Sequence, residues 1–331
     1  MRPLLLALVV LSGACSFSTD ASDTTLLPAD GPATTVPSTT TTAPTTTTTT
    51  TQAESEPTFA ELAADALVTP TGVVVAILEQ TRNGFLVRTP CGEETVVGQG
   101  TPIGGVSVVI DPGHGGLVDT GAVGPNGLME KHLNLEVSQA VQAKLIVRGI
   151  SVLLTRTADY ATLLGVRAAL ADHVGADLIL SVHHNAPTPG PSTRPGTEIF
   201  VQSDSADSRR LGGLVWDRVV EALSTFDVAW TAAPDAGVLT VLSTRGNDAY
   251  GMIRGPETVS VLTELGYISH GPEAELFATN EYVEAAAEAL ADAVEAYLGT
   301  DEPGSGFVAA PRVFNPQPGI GGNVCVDPAL Q

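Results

Sequence analysis

The pattern of apolar and polar positions changes character several times along the chain. Val106–Ile110 is a continuous apolar run of strand length. Beyond it Leu133, Val137, Ala140, Val141 and Leu145 recur at helical spacing, which predicts a helix ending near Gly149. Ser151–Thr155 predicts the next strand, Leu163–Val174 a second helix, and Asp177–Val182 a strand apolar enough to be covered on both faces. Gly196–Gln202 reads as strand, Asp207–Leu223 as helix and Val259–Glu264 as another buried strand. A last helix from about Glu281 to Leu298 carries its core face on Tyr282, Ala286, Ala289, Leu290, Ala293, Val294 and Tyr297. Strands alternating with helices predict an α/β domain over residues 105–299: a three-layer sandwich, its central sheet mostly parallel and twisted, with helices on both faces.

The flanking segments follow other patterns. Within residues 58–104, Gly72–Leu78, Gly84–Thr89 and Glu94–Gly98 are β-type runs separated by Arg82-Asn83-Gly84 and Cys91-Gly92. They predict a small β meander, too short for a core of its own and so expected to pack on the main domain. Residues 16–57 are Thr, Ser, Ala and Pro for the most part, with an unbroken run from Thr45 to Thr51, and read as a disordered tether. Residues 300–331 form an irregular Gly/Pro-rich tail. At the start, Arg2 precedes an apolar run from Leu4 to Leu11, then Ser12, Gly13 and Ala14 stand before Cys15. This predicts an export signal over residues 1–15, too short to span a bilayer as a mature helix. Two readings of its end stay open. Cys15 carries lipid and anchors the protein to the outer face of the plasma membrane, or a plain signal is cleaved and the protein is secreted.

Composition narrows the partners. Hydrophobic residues at 43% support a real core, while 15 Lys and Arg against 37 Asp and Glu give a net charge of -22. No basic stripe is available to displace counterions from a polyanion, which excludes nucleic acid as a partner. A monomer is the expectation. Cys91 and Cys325 would both sit outside the reducing cytoplasm, either as a disulfide pinning the tail to the segment before the main domain or as two separate buried thiols.

In open α/β sheets ligands bind beyond the carboxyl ends of strands, and chemistry-bearing residues collect there. Asp111-Pro112-Gly113-His114-Gly115-Gly116 follows the first strand, His183-His184-Asn185-Ala186 follows the third, and Val259–Thr263 runs into Glu264. Glu130 opens the first helix in Leu128-Met129-Glu130-Lys131. Two imidazoles and a carboxylate are a common protein set for catalytic zinc, which keeps one position open. Glycines around His114 allow a tight turn, and Asp111 is a candidate to orient the His114 ring through its second nitrogen. His183 and His184 compete for one ligand role, since neighbours on an extended segment point opposite ways. Taken singly, each feature has a plainer reading: a turn, or a structural strand-end histidine.

The segments Val109–Gly116, Glu130 with its helix, Leu180–Ala186, Gly196-Thr197-Glu198 and Leu262–Ser269 occur in this order. The series resembles the zinc-dependent N-acetylmuramoyl-L-alanine amidases that cleave bacterial cell walls, over about Val106 to Leu298. The resemblance implies His114, Glu130 and His183 as Zn2+ ligands and Glu264 as the catalytic glutamate. The substrate it implies is peptidoglycan or a muropeptide, cut at the amide between N-acetylmuramic acid and L-alanine. Position in the motif favours His183 over His184, which stands where the family usually has a small residue. Arg254 takes the place of a family arginine that would meet a substrate carboxylate or the oxyanion; a surface salt bridge is its other reading. His132, His173 and His270 have no motif role and are expected on the surface or on helix faces, Glu136 is expected to be exposed, and Glu198 to be structural or substrate-facing. The longer loop Ser243–Tyr250 either shapes specificity or is a surface insertion. Two rival functions remain: a non-catalytic wall-binding or regulatory module on the same fold, or a zinc hydrolase of another amide. The first would expect a missing ligand or glutamate, and none is missing.

Overall fold

The structure is a computed structural model and describes residues 64–317, 319–320 and 324–331. The expected signal with Cys15 and the expected tether lie outside the described residues. The first element is an antiparallel sheet of β1 (Ala66–Val68), β2 (Val74–Thr81), β3 (Gly84–Arg88), β4 (Glu94–Val97) and β5 (Thr101–Ile103), in the order β4-β3-β2-β1-β5. Its buried residues Leu67, Val73, Val75, Ile77, Val87 and Val97 cluster with Tyr160 of the main domain. The Tyr160 hydroxyl also accepts from the Val74 amide at 3.2 Å.

The main domain begins with β6 (Val108–Pro112), α1 (Glu130–Val147), β7 (Val152–Leu154), α2 (Leu164–His173) and β8 (Leu178–Asn185). It continues through β9 (Gly190–Ser192), β10 (Glu198–Val201), α3 (Ala206–Leu223), β11 (Trp230–Ala232), β12 (Val238–Leu239) and β13 (Val241–Leu242). The chain then forms α4 (Gly251–Arg254), β14 (Val259–Tyr267), α5 (Gly271–Phe277), α6 (Asn280–Gly299) and β15 (Arg312–Val313). The central sheet has the order β12-β10-β14-β8-β6-β7 and is parallel except where β10 meets β14.

Strand periodicity divides the core between two faces. Val108, Ile110, Leu178, Leu180, Val182, Ile199, Val201 and Val261 pack with the apolar stripes of α1, α3 and α6. The intervening Val109, Ile179, Phe200 and Leu262 pack with α2, α4 and the small sheet's Ala66 and Val74. This is the three-layer α/β sandwich. The small sheet lies on the α2 face, where His173 Nε2 meets the Ile77 carbonyl at 2.7 Å, so His173 ties the end of α2 to β2.

Two extensions beyond the sequence pattern matter for the site. β8 runs on through His183 to Asn185 because β14 continues to pair with it as far as Tyr267. The tail after α6 is irregular for most of its length but returns to the main domain, where β15 pairs in parallel with β13 in a separate two-stranded sheet. Cys91 and Cys325 are joined by a disulfide, their Cα atoms 5.6 Å apart, so the tail is tied to the small sheet.

Candidate metal centre

The loop after β6 is built under constraint. His114 has a φ of 62° and is the one non-glycine residue with positive φ among the described residues, a conformation that persists only when its surroundings hold it. Buried cations supply that hold through the loop carbonyls. Arg156 donates to Pro112 O at 2.9 Å, Gly113 O at 2.9 Å and Lys131 O at 2.6 Å. Arg167 donates to Pro112 O and His114 O, both at 2.7 Å, and Lys131 Nζ donates to Gly116 O at 2.9 Å.

Asp111 does not orient His114. It lies inside β6, and its oxygens accept from Thr155 Oγ1 at 2.6 Å, Arg167 Nη1 at 2.9 Å and Ser181 Oγ at 2.8 Å. Burial opposes its charge, but Arg167 and the two hydroxyls outweigh that and keep its carboxyl below the usual range. The carboxylate on His114 Nδ1 is instead Asp119, at 2.6 Å. Its signal in the sequence was an acid five residues along the same loop, free of the strand that commits Asp111 to the core.

His114, Glu130 and His183 come together with candidate ligand atoms all within 4.8 Å of one another. Glu130 Oε1 is 3.2 Å from His114 Nε2 and 3.0 Å from His183 Nδ1. Tetrahedral zinc with bonds near 2.0–2.1 Å separates its ligand atoms by about 3.3 Å, so this donor set fits the ion. The space is kept open by glycine. A Cβ at Gly113 would lie 2.2 Å from His183 Cε1, and one at Gly121 would lie 2.5 Å from Glu130 Oε2.

Charge in the group is tightly linked. Burial alone would lower the His114 pKa, but hydrogen bonds to Asp119 and Glu130 raise it to about 10. Burial would raise that of Glu130, yet the two imidazoles hold it well below the usual carboxylate range. A bound cation would take the place of these shared protons, since ligating imidazoles are neutral. His184 points the other way and is buried; its pKa falls to about 3, chiefly through desolvation.

Glu264 completes the constellation. Its Cα pairs with that of His183 in the β14–β8 ladder, and it lines the same cavity of about 620 Å³ as the three ligand candidates. It is 8% exposed, its Oε2 has no hydrogen-bond partner, and burial, then Glu130 and Glu198, push its pKa well above the usual value.

The family described as N-acetylmuramoyl-L-alanine amidase, Amidase_3, matches residues 108–296. The chain belongs to this family. It is 36% identical to the protein YqiI of Bacillus subtilis (strain 168), over 64% of this chain and 92% of that one. It is 31% identical to the N-acetylmuramoyl-L-alanine amidase LytC of the same organism, over 69% of this chain but 43% of LytC, so it spans less than half of that relative's length. The crystal structure of an N-acetylmuramoyl-L-alanine amidase from Clostridium difficile 630 superposes with a TM-score of 0.50 at 28% identity, covering 59% of this chain and 98% of that one.

In this Amidase_3 member one guanidinium reaches the cavity from outside the matched region. Arg254 is exposed, and its Nη1 donates to Asp248 O at 2.6 Å and Ala249 O at 2.9 Å, closing the turn into α4. It is not among the residues that line the cavity, and both of these bonds go to backbone carbonyls, not to the carboxylate that a surface salt bridge needs. Arg312 of the tail does line it, with Phe314. Arg312 Nη2 bonds Glu198 Oε1 at 2.5 Å and Asp235 Oδ1 at 2.7 Å, and Glu198 also accepts from Asn185 Nδ2 at 2.8 Å. Sequence reasoning missed Arg312; its only trace was an isolated cation in an acidic chain's Gly/Pro-rich tail. Of the long loop before α4, Tyr250 lines the cavity, stacked on Phe200 at 4.7 Å, while Ser243 and Asn247 bond each other.

Proposed function

We propose that this protein hydrolyses the amide between N-acetylmuramic acid and L-alanine in peptidoglycan, with Zn2+ held by His114, Glu130 and His183 and with Glu264 as the acid/base. The observation that carries the reading is Glu264 itself: a buried carboxylate with an unpartnered oxygen, beside His183 on the next strand and on the same cavity as the ligand group. When bound, zinc supplies Lewis acidity, lowering the pKa of water and polarising a carbonyl.

The remaining work belongs to side chains of the protein. Asp119 accepts from Nδ1 of His114, which fixes the tautomer whose Nε2 is free for the cation once the proton shared with Glu130 has left. Glu264 takes a proton from the attacking water and returns it to the leaving L-alanine amine. A pKa raised by burial suits the second half of that cycle, when the carboxyl must hold the proton. Arg312 neutralises Glu198, whose Cα is paired with that of Glu264, so that Glu264 is the carboxylate left free to react.

The enzyme would act outside the cytoplasm. The amino-terminal pattern of an export signal supports this, as does a disulfide suited to an oxidising compartment. Lipid on Cys15 would hold it at the membrane, the tether giving reach into the wall. No helix among the described residues is long and apolar enough to cross a membrane. The test is product analysis by mass spectrometry on defined muropeptides, with zinc, with chelator and after zinc is restored. The expected products are a free stem peptide beginning with L-alanine and the intact sugar, formed only with metal. Zinc-loaded protein that leaves this bond uncut overturns the proposal, and cleavage at a different amide would establish the rival hydrolase instead.

A further inference from the structure

His184 occupies the side of β8 opposite the ligand group, and its bonds lead back to that group by another route. Its Nε2 is 2.6 Å from the Tyr282 hydroxyl on α6, and its Nδ1 is 2.7 Å from Asn134 Oδ1 on α1. Asn134 Nδ2 in turn donates to Glu130 Oε1 at 3.2 Å and to Gly113 O at 3.3 Å. Tyr282 and Asn134 are 0% exposed, His184 1% and Glu130 4%.

With a neutral imidazole the donors and acceptors can be arranged in one way. Asn134 presents its amide nitrogen to two acceptors, a carboxylate and a carbonyl, so its oxygen must face His184. His184 then carries hydrogen on Nδ1 and donates to that oxygen, which leaves Nε2 to accept from the Tyr282 hydroxyl. Every polar atom on the path is satisfied, which is the condition under which a buried polar network rigidifies its surroundings.

What the network fixes is Glu130. This residue sits at the first position of α1, behind Met129, which makes no side-chain cap, so the helix end alone gives its carboxylate little restraint. Its Oε2 accepts from the Ala122 amide at 2.8 Å. Oε1 is held from behind by Asn134 Nδ2 and by the His184 amide at 3.3 Å, while the two ligand imidazoles approach from the cavity side.

The geometry points to His184 as a positioning residue for the metal centre, acting through Asn134 to orient the Glu130 carboxylate and braced from α6 by Tyr282. It rests on the metal reading of His114, Glu130 and His183 but not on the identity of the substrate. The histidine that competes with His183 in the sequence thus serves the same site from behind.

The test measures zinc affinity on the folded full chain by competition with a chromogenic chelator, alongside kcat and KM at saturating zinc. His184→Ala and Tyr282→Phe should each weaken zinc binding, the first by about 10–100-fold, the usual loss when a partner of a ligand is removed. His184→Gln can donate to Asn134 and accept from Tyr282, and should restore most of the affinity. KM should stay near the wild-type value in all three, because the His184 and Tyr282 side chains are buried and bond to Asn134 and to each other, away from the ligand group. Tyr282→Phe changes one oxygen and keeps the packing, so it reports on the network even where His184→Ala folds poorly. Wild-type zinc affinity in both His184→Ala and Tyr282→Phe, or failure of His184→Gln to restore it, overturns the inference. Wild-type protein that binds no zinc would overturn the metal reading itself.

Discussion

Glu264 and His183 are cross-strand neighbours: their Cα positions pair in the parallel ladder of β14 and β8, and both side chains open on one cavity. Residues in register on adjacent strands face the same side of the sheet, so the ladder sets the distance between acid/base and ligand without help from a loop. A rigid strand pair is a more exact support for catalytic geometry than a mobile connection.

Glu264→Gln keeps the shape of the side chain and removes its basicity. Turnover is expected to fall by about 10²–10⁴-fold, the range for losing a positioned general base. Zinc stoichiometry should not change, because Glu264 is not among the three clustered ligand candidates. Product formation and metal content measured on the same preparation check both halves. Full activity would remove Glu264 from the mechanism, and parallel loss of metal would make it a ligand.

Gly113→Ala should disable the metal centre while sparing the fold. The added Cβ would fall 2.2 Å from Cε1 and 2.3 Å from Nε2 of His183, so the ring must leave its place beside Glu130. Loss of zinc affinity by at least about tenfold is expected, with far-UV circular dichroism unchanged. Retained wild-type affinity would show that the His183 ring can move without consequence.

Arg312→Ala strips the cation from Glu198, which is 0% exposed, while leaving Asp235, 41% exposed on its side chain, to water. Removing one partner of a buried pair costs about 3 kcal/mol. Most of that should return in Arg312→Ala with Glu198→Gln, since the glutamine needs no counter-ion. Denaturant unfolding of the two variants measures the difference. An equal loss in both would mean that packing of the tail, not the charge on Glu198, is what Arg312 provides.

Much of the fold was legible because the main strands are continuous apolar runs and the helices carry long stripes; Val106–Ile110 and the α6 face announced themselves. β1, β5, β13 and β15 are two or three residues long, too short to show a period, and exist because a neighbour pairs with them. The ligand group was legible as motif. Its supports were not. Asp111 precedes His114 in the motif, but membership of β6 turns it into the core, and the acid that meets the ring is Asp119. Arg312 lies 114 residues from the glutamate it neutralises, and no local pattern encodes such a meeting. Between His183 and His184, strand alternation showed that one must face away but not what the other would do.

The pH dependence of stability should carry the signature of His184. The unfolded imidazole titrates near 6.5, whereas desolvation holds the folded one to about 3. Between those values the unfolded chain binds a proton that the folded protein refuses, so stability falls as pH drops through 6.5 toward 3. Each unit is worth about 1.4 kcal/mol, which makes the loss from this residue about 2 kcal/mol at pH 5. His184→Gln does not titrate, so the stability of wild type relative to this variant should decline by that amount between pH 7.5 and pH 5. Denaturant unfolding of metal-free protein at the two pH values reads it directly, free of metal release. A gap that stays constant would mean that His184 becomes protonated inside the folded protein, with Tyr282 turning its hydroxyl to accept. The neutral, singly oriented network behind Glu130 would then be wrong.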